Sequence, residues 1–260
     1  MIRLAIAGAG GRMGQMLINA VKSQPDLTVR AALDLPASPT LGFEVAPQVL
    51  IESDITGALS KSDCLIDFTR PEGTLMHLQA CVAARKAIVI GTTGFDAAGK
   101  AAIHEAAKTI PVVFAPNMSV GVNATFKLLE LAAKALQEGY DIEILEMHHR
   151  HKVDAPSGTA LGMGEVIAKA QSTRLEDRQV LSREGETGER ALGTIGFASL
   201  RGGDVVGDHT VIFAGKGERI EISHKSGTRE SYAQGALRAA RFLAGKQNGL
   251  YDMQDVLGIK

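Results

Sequence analysis

The chain has 260 residues, of which 45% are hydrophobic, and its 28 Lys and Arg are balanced by 29 Asp and Glu. The formal net charge of −1 gives no reason to expect nucleic acid or an anionic membrane as a partner. Two cysteines, Cys64 and Cys81, fit a reducing cytoplasm and exclude a disulfide framework. No apolar run reaches the roughly 18 residues of a membrane span. We therefore expect a cytoplasmic globular protein with one large or two modest domains.

The start of the chain has the pattern of a nucleotide-binding unit. An apolar run at residues 2–7 predicts a buried strand, a glycine-rich segment follows at 8–14, and apolar residues then recur at helical spacing. Glycines let a backbone approach a pyrophosphate, and the N-terminus of the helix favours its charge. A tight turn without a ligand is the alternative. An acidic residue about 20 positions later commonly binds the ribose. We expect cofactor contacts from Gly8, Ala9, Gly10, Gly11, Arg12, Met13 and Asp34.

Strands and helices alternate through the next hundred residues. We expect strands at residues 27–33, 64–68, 87–90 and 112–115, a short buried stretch near 49–51, and helices at 55–60, at 96–108 and from after Thr74 to Ala84. This alternation predicts an α/β fold whose parallel sheet, of Rossmann type, has helices on both faces. The loops after successive strands share one edge of such a sheet, where ligands bind. The segments 91–94 and 115–118 fall on that edge.

A second, smaller α+β region follows. We expect helices at residues 120–138 and 158–170, strands at 140–147, 194–200, 205–214 and 219–224, and an exposed loop at 174–190. Consecutive strands with short links indicate an antiparallel or mixed sheet. An amphipathic helix is predicted at residues 229–244, near the end of the chain.

Charged residues concentrate between residues 146 and 160, on the connection from a strand to a helix. Three of the seven histidines lie here beside a lysine: His148, His149, His151 and Lys152. A histidine exchanges protons near neutral pH, and a lysine supplies a positive charge and a transferable proton. Pro156 suits the first turn of the helix, whose N–H groups favour a carboxylate or phosphate. The segment predicts a pocket for an anionic substrate that is protonated during the reaction.

Other interpretations of these residues are open. A basic run can be a solvated loop, and His-His-x-His can supply imidazoles to a metal. We expect no metal, because adjacent strand residues face opposite ways and no Cys or carboxylate stands at a familiar metal spacing. Residue chemistry alone indicates a dinucleotide-dependent oxidoreductase for a small anionic compound. A dehydrogenase for an amino-acid semialdehyde and a non-catalytic NAD(P)-sensing protein are the alternatives.

The same segment closely resembles the pattern E-x-H-H-x-x-K-x-D-A-P-S-G-T-A of bacterial dihydrodipicolinate (4-hydroxy-tetrahydrodipicolinate) reductases, with every fixed position filled. The resemblance covers nearly the full chain. It implies reduction of a cyclic dicarboxylate imine to tetrahydrodipicolinate, in the diaminopimelate route to lysine. It also implies that His148 is the proton donor and acceptor, that Lys152 is a proton donor, and that three residues bind the substrate carboxylates: His149, Gly158 and Thr159.

The resemblance extends to the loops, the domains and the assembly. The G-T-T-G and A-P-N segments line the nicotinamide side in the family, which implies cofactor contacts from Gly91, Thr92, Thr93, Ala115, Pro116, Asn117 and Met118. Met118 replaces a commoner Phe, which we interpret as a packing change. Residues 1–119 with 229–260 are expected to form the dinucleotide-binding domain, and residues 120–228 the substrate-binding and oligomerisation domain. Family members are usually homotetramers.

One residue departs from the family's best-known members. Leu35 stands where they carry an arginine that meets the 2′-phosphate of NADPH, and Arg12 is the remaining candidate for that contact. The cofactor is therefore NADH or NADPH, and we predict that NADH serves at least as well.

Overall fold

The computed structural model describes residues 1–260, which divide into two compact units. The first unit comprises Met1–Val120, Glu230–Gly258 and Lys260, and the second comprises Gly121–Arg229 and Ile259. None of the helices combines the length and hydropathy that a membrane crossing requires. The elements in chain order are β1 (Ile2–Ala7), α1 (Arg12–Val21), β2 (Leu27–Leu33), β3 (Glu44–Ala46), β4 (Val49–Glu52), α2 (Ile55–Lys61), β5 (Cys64–Asp67), α3 (Pro71–Ala84), β6 (Ala87–Ile90), α4 (Ala97–Ala106), β7 (Pro111–Phe114), α5 (Val120–Ala135), β8 (Asp141–His148), α6 (Gly158–Ala170), β9 (Gln179–Val180), β10 (Ile195–Arg201), β11 (Gly207–Ala214), β12 (Arg219–Ser226), α7 (Glu230–Leu243), β13 (Gly249–Tyr251) and α8 (Met253–Leu257).

The first unit is built on an eight-stranded sheet in the order β13-β7-β6-β5-β1-β2-β4-β3. Every pairing is parallel except that between β3 and β4. Strand β1 lies between β2 and β5, so the chain runs outward from β1 in both directions. A ligand crevice forms at the carboxyl ends of the strands at such a reversal, and the loop after β1 lies there.

Helices cover both faces of this sheet, because the side chains of a strand alternate between its faces. Leu4 and Ile6 of β1 pack in one core with residues of α1 and α7. Ala5 and Ala7 pack in the other core with residues of α2, α3 and α4. The strands are apolar on both faces, as expected of a buried parallel sheet. The predicted α/β fold is confirmed.

The second unit contains a five-stranded sheet in the order β12-β11-β8-β10-β9. Strand β8 pairs parallel with β10 and antiparallel with β11, so the sheet is mixed. Residues of α5 and α6 pack with Ile142 and Ile144 of β8 on one face. Several large apolar side chains of the sheet are exposed instead, namely Leu145, Leu200 and Ile220.

The structure departs from the predicted elements in a few places. The loop predicted at residues 174–190 contains a 3₁₀ turn, Leu175–Asp177, and the two-residue strand β9. Arg183 and Arg190 tie this region to Glu143 of β8, at 2.8 and 2.9 Å. Strands β3 and β13 and helix α8 were not predicted. They have only three to five residues, too few for a periodic pattern to emerge.

Candidate active site

The loop after β1 is a cradle that only small residues can form. Gly8 has a φ of 67°, a left-handed conformation that glycine adopts without strain. A Cβ at Gly14 would overlap the Gly8 carbonyl oxygen and lie 2.7 Å from the Ala9 Cα. Gly11 is the N-cap of α1 and provides no capping side chain. The first backbone N–H groups of α1 are therefore not capped by a side chain, which is the arrangement that binds a pyrophosphate.

Asp34 directly follows β2, and its side chain is hydrogen-bonded to this loop. Its carboxylate accepts hydrogen bonds from the Gly10 N–H at 3.0 Å, the Leu35 N–H at 2.8 Å and the Thr40 hydroxyl at 3.4 Å. A Cβ at Gly10 would lie 2.6 Å from the Asp34 Oδ2. The side chain of Leu35 is 66% exposed. Arg12 and Gly11 are exposed, and Met13 is half-buried.

The predicted nicotinamide-side residues follow β6 and β7 at the carboxyl edge of the sheet. A Cβ at Gly91 would overlap the Phe68 ring. Asn117 accepts a hydrogen bond from the Ser119 N–H at 2.9 Å. Thr93 and Pro116 are exposed, whereas Ala115 and Met118 are buried. The Met118 side chain belongs to the core, and its carbonyl packs against Gly235 of α7, so a cofactor contact from this residue stays a prediction.

A polar network that sequence reasoning did not predict lies beneath these loops. Asp67, the last residue of β5, is fully buried. It accepts hydrogen bonds from the N–H and the hydroxyl of Thr69, at 2.8 and 2.7 Å, and its Oδ2 lies 2.7 Å from Nδ1 of His77. Thr74 and Thr92 share a hydrogen bond of 2.8 Å beside it. A carboxylate at the end of an otherwise apolar strand was the signal available in the sequence.

In the second unit, His148 ends β8 and is buried. Its Nδ1 lies 2.6 Å from the Glu146 Oε2. Its Nε2 has no hydrogen-bond partner within the chain, and a Cβ at Gly207 would lie 2.9 Å from this atom. The imidazole is therefore held at one nitrogen and has the other available for proton exchange.

Glu146 is the buried centre of the group. Arg201 donates to both of its oxygens, at 2.8 Å each, and the Ser157 N–H donates at 3.3 Å. Burial favours the neutral form of Glu146, but the hydrogen bonds from Arg201 and then His148 outweigh it and hold the pKa of the carboxyl below its ordinary value. Arg201 was not predicted as a site residue. The sequence did indicate that Glu146 and His148 lie on one face of the strand, because alternate strand residues do so, but it did not indicate which cation they meet.

Lys152 follows in the connection from β8 to α6. Its ammonium is bonded to both oxygens of Asp154, at 2.7 and 2.8 Å, and its side chain is 20% exposed. This pairing lowers the pKa of Asp154. The backbone N–H of His149 donates to the Val205 carbonyl at 2.7 Å, and the His149 Nδ1 is buried without a hydrogen-bond partner.

Helix α6 begins after Ser157, whose hydroxyl accepts a hydrogen bond from the Ala160 N–H at 3.2 Å. The expectation that Pro156 lies in the first turn is wrong. Because Ser157 caps the helix, Pro156 precedes the cap, after a cis peptide bond. Gly158 is exposed and Thr159 is half-buried, and a Cβ at Gly158 would meet no atom within 4 Å. The first turn of α6 thus has room for a ligand.

A second histidine packs against the first. His209 of β11 is buried, its ring centroid lies 5.1 Å from that of His148, and its Nε2 lies 2.9 Å from the Ser157 hydroxyl. Burial, and then the charge of His148, lower the pKa of His209 to about 4. His209 is therefore neutral at physiological pH. No group of three or more His, Cys, Asp or Glu side chains has the geometry to hold a metal ion.

A Rossmann-type unit with a glycine cradle, and a second unit with a buried imidazole four residues before a lysine, define an NAD(P)-dependent oxidoreductase. Comparison with known families gives the particular one. Residues 2–118 match the N-terminus of dihydrodipicolinate reductase, and residues 121–257 match its C-terminus. The chain belongs to the dihydrodipicolinate reductase family. The N-terminal part is the NAD(P)-binding domain, and the family uses NADH or NADPH.

Individual relatives agree with this membership. The 4-hydroxy-tetrahydrodipicolinate reductase of Cupriavidus metallidurans is 63% identical over 265 residues, covering 100% of both chains. That of a Janthinobacterium species is 62% identical and covers 100% of this chain and 99% of its own. A dipicolinate-bound dihydrodipicolinate reductase from Paenisporosarcina superposes with a TM-score of 0.82 at 28% identity, over 98% of each chain.

Proposed function

We propose that the chain reduces 4-hydroxy-tetrahydrodipicolinate to tetrahydrodipicolinate with NADH or NADPH, in the diaminopimelate route to lysine. The balanced reaction consumes the substrate, one NAD(P)H and one proton, and releases water, NAD(P)⁺ and tetrahydrodipicolinate. The family membership supports the activity. The observation that carries the chemistry is the buried His148, tethered at Nδ1 and unbonded at Nε2, four residues before Lys152.

The glycine cradle fits the cofactor. Its shape excludes a side chain at Gly14, and the backbone N–H groups that begin α1 favour a diphosphate. Asp34 stands at the end of β2, where a carboxylate binds the ribose hydroxyls. The bound nicotinamide supplies the hydride. We assign cofactor contacts also to the segments after β6 and β7, on the residues named above.

The second unit supplies protons and positive charge. Hydride addition builds negative charge on the substrate, which cations and proton donors stabilise. His148 donates and accepts a proton through Nε2, and Lys152 is a second proton donor. Its ammonium is already ordered by Asp154, so less freedom is lost when a substrate is bound.

The substrate is a small dicarboxylate. The N–H groups at Gly158 and Thr159 begin α6, where a carboxylate is favoured, and His149 lies earlier in the same segment. The Paenisporosarcina relative binds dipicolinate, which has the same pair of carboxylates on a ring. We assign residues 1–119 with 229–260 to dinucleotide binding and residues 120–228 to substrate binding and oligomerisation.

The alternative of an acylating semialdehyde dehydrogenase is disfavoured by the thiols. Such an enzyme needs a thiolate nucleophile. Cys64 and Cys81 are both buried, and burial raises the pKa of Cys64 to about 12 and also raises that of Cys81. A non-catalytic NAD(P) sensor would not need His148 and Lys152 beside each other.

We place the enzyme in the cytoplasm, as its biosynthetic role and its two reduced cysteines suggest, and we propose a homotetramer. The exposed apolar residues of the second sheet, Leu145, Leu200 and Ile220, support an interface on that unit. Light scattering after size exclusion tests the assembly. A mass near the 27.4 kDa of one chain would exclude it.

Kinetics of two single variants test the assignment of roles. Oxidation of NADH is followed by its absorbance, with freshly generated cyclic substrate, for His148→Ala and Lys152→Ala. Each variant should lower kcat by about two orders of magnitude or more, because a general acid contributes roughly 10²–10⁴-fold. The dissociation constant for NADH should change little. His151→Ala, at an exposed neighbouring histidine, is the matched control. Unchanged kcat in both variants would refute the assignment.

A further inference from the structure

Glu146 accepts every hydrogen bond that its side chain makes. Its side chain is 1% exposed, and Arg201 approaches it with two N–H groups, His148 with Nδ1 and Ser157 with its backbone N–H. Two of these donors meet Oε2 and two meet Oε1. A carboxylate satisfies four donors, because it only accepts hydrogen bonds. An amide in its place would turn an NH₂ group toward donors in either orientation.

This arrangement decides which nitrogen of His148 carries the proton. The Arg201 guanidinium cannot accept a hydrogen bond and is always charged. It holds Glu146 as an acceptor, so the neutral His148 ring must donate its Nδ1 proton at 2.6 Å. The nitrogen without a proton is then Nε2. This atom has no hydrogen-bond partner in the chain, and it lies where only a glycine at position 207 leaves room for it. A hydrogen bond at one ring nitrogen sets the state of the other.

We propose that Glu146 and Arg201 are positioning residues for the reaction assigned above. Glu146 fixes the tautomer and the direction of His148, so that Nε2 is the atom that exchanges the proton. The inference rests on the proposed function, because it assigns to His148 the proton transfer proposed there.

Arg201 connects this pair to the lysine. Besides Glu146, its guanidinium donates to the Asp154 carbonyl at 2.7 Å, and the Asp154 side chain holds the Lys152 ammonium at 2.7 Å. One guanidinium therefore fixes both the carboxylate behind the imidazole and the backbone of the residue that orders the lysine. Arg201 should thus affect kcat without touching the substrate.

The tautomer can be measured on the unaltered protein. The enzyme is labelled with ¹⁵N-histidine, and the His148 signals are identified by their loss in His148→Ala. At a pH where the ring is neutral, Nδ1 should carry the proton and Nε2 should not. A ring with its proton on Nε2 would overturn the proposal, whatever the kinetics show.

Glu146→Gln tests the consequence for the reaction. Its kcat should fall by about 10-fold or more, because groups that orient metal-binding histidines contribute roughly 10- to 100-fold and a wrong tautomer of a catalytic histidine costs up to about 10⁴-fold, while KM for NADH and substrate stays within about twofold. Its His148 signals should show the proton moving toward Nε2. The matched control is Glu143→Gln. Glu143 lies on the same strand and is also paired with two arginines, Arg183 and Arg190, but it contacts no histidine.

The outcomes separate this inference from the function on which it depends. If Glu146→Gln keeps its kcat within twofold while His148→Ala is inactive, the positioning role is wrong and the function stands. A control variant of unaltered assembly that loses as much kcat as Glu146→Gln also overturns the role. If His148→Ala is fully active, the proposed proton transfer by His148 fails, and the tautomer measurement still shows whether Glu146 controls the ring. If Glu146→Gln does not fold, the tautomer in the unaltered enzyme decides.

Discussion

Replacement of Leu35 by arginine tests how the chain distinguishes its two cofactors. The residue follows Asp34, whose carboxylate accepts the N–H of Gly10 in the nucleotide cradle. An adenosine 2′-phosphate placed near this carboxylate meets a negative charge, and Leu35 offers no cation to offset it. We therefore predict that the unaltered enzyme has a kcat/KM for NADH at least equal to that for NADPH.

The size of the change follows from the hydrogen bond that is introduced. A hydrogen bond to a charged group contributes about 1.5–3 kcal/mol, which corresponds to roughly 10- to 150-fold in affinity. Because Leu35 is 66% exposed, water competes for the new guanidinium, and we expect the lower end. Leu35→Arg should raise kcat/KM for NADPH by about tenfold and leave that for NADH within about twofold.

The assay compares initial rates with both nucleotides at saturating substrate and at two salt concentrations. The gain with NADPH should shrink at high salt, because exposed charges are screened. Leu128→Arg is the control. It adds the same charge at a side chain that is 54% exposed on α5 of the second unit, and should leave the cofactor ratio unchanged. A wide NADPH preference in the unaltered enzyme, or an unchanged ratio in Leu35→Arg, would refute the reasoning.

Two further predictions concern the cradle and the buried histidine. Gly14→Ala should raise the dissociation constant for NADH about tenfold or more in a fluorescence titration. The new methyl group overlaps backbone atoms of Gly8 and Ala9, which costs roughly 1–3 kcal/mol and exceeds the gain of about 1 kcal/mol in helix propensity. An unchanged dissociation constant would contradict the close packing. The pKa of His209 is lowered from 6.5 to about 4, so the folded protein favours the neutral form of this histidine. The unfolding free energy is therefore highest above about pH 6.5, and it decreases as the pH falls toward 4, because the unfolded chain takes up the proton first. Relative to His209→Gln, the unfolding free energy of the unaltered enzyme should fall by up to roughly 3 kcal/mol over this window in urea titrations, and parallel pH profiles would show that His209 is not buried as described.

Local patterns were sufficient to predict most of the first unit. The strand at residues 2–7, the glycine turn and the strand at 27–33 each leave a periodic or compositional trace, and the predicted parallel sheet is confirmed. Strands as short as β3 and β13 leave no such trace, because they have three residues each. Their position is decided by pairing with β4 and β7, which only the folded chain shows.

The site was predictable where its residues are consecutive. His148 and Lys152 stand within one recognisable segment, and the family that this segment indicated is confirmed. Arg201 lies 55 residues beyond Glu146 and meets it because β10 pairs in parallel with β8, which places Arg201 opposite His148. That register follows from packing of the whole second sheet. The roles of the individual site residues stay predictions.

The measurement that tests the central claim most directly is the fate of the hydride. The enzyme is given NADH that carries deuterium at both C4 positions of the nicotinamide, together with fresh 4-hydroxy-tetrahydrodipicolinate, and the product is analysed by mass spectrometry. Tetrahydrodipicolinate with one deuterium on a ring carbon is the predicted result, with His148→Ala forming it about two orders of magnitude more slowly. Oxidation of NADH without deuterium in the product, or the same rate in the variant, would contradict the account.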